Sequence, residues 1–155
     1  MFFGCLIRDI SVHLEYLKAS IEATEAEIQN FTNQTPGLKA KQELLVSIPG
    51  VGKKTSARLL AEIGEINRFE NAPQLAAYAG LNPKGFSSGS SVHKKTRISK
   101  QGRNELRACL YMPAIVAMTH NPVVRALKEL LQKKQLPTMA IIAACMRKLL
   151  HIVYG

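Results

Sequence analysis

The chain has 155 residues, with 21 Lys and Arg against 11 Asp and Glu, and a formal net charge of +10. Its 46% hydrophobic and 21% charged residues exclude wholesale disorder and suit one folded domain with an appendage. No apolar run approaches the ~20 residues that span a bilayer, so no membrane partner is expected, and the basic surplus points to a polyanion, nucleic acid first.

The start, Met1 to Ile7, is apolar but lacks a basic leader and is cut short by Arg8 and Asp9, which argues against a signal peptide. Cys5, Cys109 and Cys145 are odd in number and widely spaced, with no CxxC pair. They predict reduced thiols in a cytoplasmic setting rather than a disulfide framework or a zinc site.

Charge divides unevenly along the chain. Residues 1–35 carry two basic against five acidic side chains, and the rest carry nineteen against six. The change coincides with a polar stretch ending in Pro36-Gly37, a breaker pair that predicts a boundary, with segments 1–35 and 36–155. Before it, Ile10, Leu14, Leu17, Ile21, Thr24, Ile28 and Phe31 recur at alternating spacings of four and three. That is a heptad seam on one long helix. So narrow a stripe needs a partner helix, and a homodimer through this coiled-coil-like helix is the expectation.

The remaining segments keep helical spacing, and the predicted fold class is all-α. Short helices are expected at Leu38–Ser47, at Lys53–Ile63 with Ala57, Leu60, Ala61 and Ile63 inward, and at Pro73–Ala79 with Asn71 as N-cap. Longer ones follow at Asn104–Thr119, Val123–Lys133 and Pro137–Val153. Tyr78 and Tyr111 lie among apolar neighbours and read as core residues.

Two places depart from a plain bundle. In Ser47-Ile48-Pro49-Gly50-Val51-Gly52-Lys53-Lys54, one helix ends and another begins around two glycines. Gly50 and Gly52 permit close approach of another backbone. The amides of the new helix, beside Lys53 and Lys54, suit a phosphate. This stretch resembles the helix-hairpin-helix motif of DNA-repair proteins, which grips the duplex backbone without reading sequence. A Walker A reading fails, because Lys54 follows Gly52-Lys53 where Ser or Thr is required.

The second place is residues 81–107, expected as a long basic loop. Lys84, Lys94, Lys95, Arg97, Lys100, Arg103 and Arg107 are opposed only by Glu105, and Ser87, Ser88, Ser90 and Ser91 surround Gly89. Cations, hydroxyls and pliable backbone are what phosphate contacts use. A serine hydroxyl among such cations has the chemistry to attack a phosphodiester. His93 beside Lys94 reads as a solvated histidine, and His13, His120 and His151 receive no role.

Four pieces now stand in order. They are Leu45 to Gly52, Ala61-Glu62-Ile63-Gly64 with Phe69, Gln74 to Pro83, and Ser88-Gly89 followed by Arg97 to Asn104 and Leu106-Arg107; Arg147 to Leu150 also fits. Together they resemble the C-terminal domain of the Piv-type DNA invertases and the related insertion-sequence transposases of family one hundred and ten, the bridge-RNA-guided recombinases. The resemblance covers residues 42–155. It implies DNA as partner, a structured guide RNA beside it, and a bacterial or archaeal cytoplasm. It also implies a serine nucleophile that joins DNA covalently. That role falls on Ser88, with Ser87 and Ser90 as near alternatives in register. Family members also carry a ribonuclease-H-like domain with a set of metal-binding carboxylates. Asp9 is the one Asp here and cannot supply them, so no metal site and no cofactor is expected in this chain. Magnesium is expected only at the absent carboxylate domain. The expectation is a piece of a longer protein, inactive alone in recombination. Two other readings remain from the residues: a non-catalytic helix-hairpin-helix module in which Ser88 only contacts phosphate, and a helical protein that dimerises with its charge incidental.

Overall fold

The computed structural model describes the backbone of residues 2–88 and 92–155, and the side chains of residues 6–84 and 98–155. Seven α-helices and one β-hairpin occur among the described residues. In chain order they are α1 (Phe2–Gln34), α2 (Pro36–Val46), α3 (Lys53–Ile63), α4 (Ala72–Tyr78), β1 (Pro83–Ser88), β2 (Val92–Ile98), α5 (Asn104–His120), α6 (Pro122–Lys133) and α7 (Thr138–Tyr154). A 3-10 turn at Ile66–Arg68 precedes α4. The core is built from the helices with Val51, Phe69, Ala79 and Leu81 of the connections between them, and the fold is all-α, as the helical spacing implies.

The chain forms two compact units, residues 1–40 and 41–155. The first is dominated by α1, whose 33 residues extend about 50 Å at 1.5 Å per residue. The apolar seam stands open to solvent: Ile10, Leu14, Leu17, Ile21, Ile28 and Phe31 are all at least 41% exposed. Thr24, the polar member, donates its hydroxyl to the Ser20 carbonyl at 2.9 Å, so the seam carries no unpaired group there. Helix α1 stops at Gln34, the chain bends at Thr35, and Pro36 opens α2. Proline fits a first helical turn because its missing N–H has no intrahelical partner there.

In the second unit α5 packs against α3, α6 and α7, and α7 also packs on α4 and α6. Helix α5 buries Leu106, Cys109, Leu110, Pro113, Ala114 and Ala117, a stripe at helical spacing. Leu149, Leu150 and Cys145 of α7 meet it with Leu59 and Leu75, all with no solvent exposure. Cys109 and Cys145 are free and buried, and burial pushes both thiols above their ordinary range. Helix α3 faces the core through Ser56, Leu59 and Ile63. Ala61, expected inward, is exposed, and Ala57 and Leu60 are half-buried, because the buried stripe lies one residue ahead of the expected one. Tyr111 is also exposed.

The expected long loop is instead a two-stranded antiparallel hairpin. Pro83 pairs with Ile98, Lys84 with Arg97, Phe86 with Lys94, Ser87 with His93 and Ser88 with Val92. Between the second and third pairs the register shifts by one residue, so Lys95 and Thr96 stand opposite Gly85, as in a β-bulge. The physical reason for the difference lies at the hairpin's root, where tertiary hydrogen bonds fix both strands.

Candidate nucleic-acid interface

The α2–α3 turn is set by close packing. Val51 N–H closes it on the Ile48 carbonyl at 3.0 Å. Gly50 has φ +105°, and a β-carbon there would lie 2.8 Å from the Ala117 side chain and 3.0 Å from its backbone. Only glycine permits this approach to α5. Asn121, 4% exposed, donates to the Pro49 carbonyl at 3.4 Å and accepts from the amides of Val123 and Val124. One side chain thus caps α6 and ties down the turn. Gly52 is the N-cap of α3 and supplies no side-chain cap. Lys53 and Lys54 follow it and are exposed.

The hairpin root is held at the other end of α5. Ser99 N–H donates to the Asn82 carbonyl at 2.8 Å, Lys100 N–H to Gly80 at 3.1 Å, and Arg103 N–H to Tyr78 at 2.7 Å. Two glycines make this possible. A β-carbon on Gly102 would collide with the Tyr78 and Ala77 carbonyls, and one on Gly80, at φ +69°, would meet Arg107 and the Lys100 backbone. Lys100 itself has φ +54°.

These placements sort the expected phosphate ligands. Gly50, Gly52, Lys53 and Lys54 share the turn. Lys84 is the second residue of β1, Lys94, Lys95 and Arg97 lie along β2, and Lys100, Arg103 and Arg107 follow at the root. Arg103 and Arg107 also have internal work. Arg103 Nε binds Glu62 Oε2 at 2.8 Å. Arg107 donates to the Ala79 carbonyl at 3.0 Å and to Asn104 Oδ1 at 2.7 Å. Ser87 and Ser88 close the described part of β1. Ser90 lies outside the described residues, as do the side chains of Ser87, Ser88, His93, Lys94, Lys95 and Arg97.

The sequence did not single out Arg68, gave Glu62 no role of its own, and read Tyr78 as a core residue, whereas Tyr78 is half-buried. The Arg68 guanidinium carbon lies 4.7 Å from both the Phe69 and Tyr78 ring centroids, within cation–π range. The Tyr78 hydroxyl receives an N–H of Arg103 at 3.4 Å. Burial raises the Tyr78 pKa, but hydrogen bonds from Arg68 and Arg103 outweigh it and leave the phenol below its ordinary value. Among the described residues no three His, Cys, Asp or Glu side chains gather as a metal site would need. No described helix is long and apolar enough to cross a membrane.

The chain belongs to the transposase IS116/IS110/IS902 family, whose model matches residues 42–129. It is similar, at 40% identity over 144 residues, to a pilin gene-inverting protein of Moraxella bovis, covering 92% of this chain and 45% of that protein. An IS110 insertion-element protein of Streptomyces coelicolor is 35% identical over 103 residues, 66% of this chain and 24% of that one. A probable family 20 transposase of Pseudomonas aeruginosa is 29% identical over 146 residues, 91% and 42% of the two chains. The chain therefore spans less than half the length of these relatives.

Proposed function

We propose that this chain is the nucleic-acid-binding and strand-joining portion of a DNA transposase or invertase, working on DNA in the cytoplasm. The observation that carries the reading is the family match over residues 42–129, which spans both the glycine turn and the basic hairpin. The turn grips the duplex backbone in helix-hairpin-helix fashion through Gly50, Gly52, Lys53 and Lys54. The hairpin cations take further phosphates, on DNA and on a structured guide RNA.

Ser88 is the nucleophile in this reading. Its Oγ attacks phosphorus, an Oγ–P bond forms and a P–O bond of the strand breaks. The departing strand end takes up the proton as a hydroxyl, and a second strand's hydroxyl reverses the step to rejoin DNA. Charge developing on the phosphoryl oxygens is stabilised by the surrounding Lys and Arg groups. In this reading magnesium would be held by a carboxylate-bearing domain and would stabilise charge on the phosphoryl oxygens. The exposed seam of α1 serves a homodimer as a coiled coil.

Fluorescence anisotropy against duplex DNA and a structured RNA of equal length, at about 50 and 200 mM salt, tests the reading. Contact with several phosphates makes affinity fall by orders of magnitude over that range. No binding to either at low salt overturns it.

A further inference from the structure

We propose that Arg68, Tyr78 and Arg103 form a notch for one backbone phosphate of bound DNA, beside the hairpin root and separate from the hairpin's own cations. The inference rests on the nucleic-acid reading above and adds residues to it.

Three features mark this group off from an ordinary packing cluster. The first is charge. Arg103 is paired with Glu62 at 2.8 Å, whereas no carboxylate among the described residues pairs with Arg68. Two guanidinium groups against one carboxylate leave one positive charge unmatched. A purely structural bridge has no need of that surplus.

The second is preorganisation. Arg68 is exposed, yet it is held against two rings whose centroids are 5.3 Å apart and tilted by 57°. Phe69 is itself 7% exposed, and its carbonyl accepts the Tyr154 hydroxyl at 3.0 Å. The arginine therefore rests on a fixed support and loses little freedom on binding. With its central carbon 4.7 Å from both ring centroids, the guanidinium meets a ligand through its N–H groups. That planar fork matches the non-bridging oxygens of a phosphate better than a stacked base.

The third is convergence. The Tyr78 oxygen lies where Arg103 donates at 3.4 Å and where Arg68 also lowers the phenol's pKa. An oxygen with partial negative charge already occupies the focus of the two cations. The site's place in the chain fits the role. The Tyr78 carbonyl holds the Arg103 amide, so a phosphate here sits where the hairpin rejoins the body.

The test uses the whole chain and three variants. Arg68→Met keeps an apolar stem on the rings without the charge, Arg68→Lys keeps the charge without the fork, and Tyr78→Phe removes the hydroxyl. In anisotropy titrations against duplex DNA, Arg68→Met is expected to weaken binding about tenfold at low salt and to reduce the salt slope by about one. Arg68→Lys is expected to restore the slope but only part of the affinity. Wild-type affinity and slope in Arg68→Met overturn the notch and leave the broader function standing. Loss confined to RNA overturns the assignment to DNA. Failure of the unaltered chain to bind either polymer overturns both readings.

A second readout does not depend on the variants of Arg68. The ultraviolet titration of Tyr78, assigned by its loss in Tyr78→Phe, is expected to move upward when duplex DNA saturates the chain, because a phosphate beside the phenol disfavours phenolate. An unmoved titration at saturation overturns the proposal.

Discussion

Gly102 has no room for a β-carbon, because the carbonyls of Tyr78 and Ala77 already occupy the space. Gly102→Ala should therefore cost at least about 2 kcal/mol, since strained backbone alone costs about 1–3 kcal/mol. A lowered urea midpoint with an unchanged slope is the expected sign. His151 makes a different prediction. Its Nε2 is buried without a hydrogen-bond partner, and burial, then Arg147 and Lys148, hold its pKa below the ordinary 6.5. A depressed histidine contributes stability that is fully present above its unfolded pKa and is lost as pH falls through the folded value. The melting temperature should thus fall from pH 7 toward pH 5, and His151→Gln should flatten that fall.

At the scale of elements, the basic hairpin and the α1 seam each make a separable prediction. Replacing Lys94, Lys95 and Arg97 together with alanine should weaken duplex binding and lower the salt slope by about three, at ~0.9 per phosphate contact. Leu14→Glu with Ile21→Glu should leave a monomer in light scattering where the unaltered chain is expected as a dimer, because the pair places charge on the seam. Helix limits were the most legible part of the sequence. Gly52 and Gly64 flank α3, and the Asn71 side chain caps α4 through the Gln74 amide at 2.9 Å, as its residue type suggests. The hairpin was not legible. Pro83 and Gly85 are poor strand formers, and His, Lys and Arg hide the alternation of Val92, Thr96 and Ile98. Bonds from Ser99 and Lys100 back to Asn82 and Gly80 hold the strands, and such contacts leave no local pattern. The Arg68 notch was hidden for the same reason, since its members lie at positions 68, 78 and 103 with no shared spacing.

For the whole molecule, the family membership and the partition of charge argue together. The acidic first segment carries the exposed seam, while the basic remainder carries every expected phosphate ligand. If Ser88 is the nucleophile, Ser88→Ala should leave duplex affinity unchanged and abolish the covalent adduct in a protein that also carries a carboxylate-bearing domain. Ser87→Ala and Ser90→Ala should leave that adduct in place, as denaturing gels would show. Helix α5 adds a consequence of its own. The glycine turn rests on Ala117 and the hairpin root on Arg103, fourteen positions apart along α5 and the residue that caps it. At 1.5 Å per residue the two anchorages are no more than about 21 Å apart, near six steps of 3.4 Å along one strand. The spacing between the two anchorages is then set by a single helix, a fixed gauge that neither loop alters by its own movement.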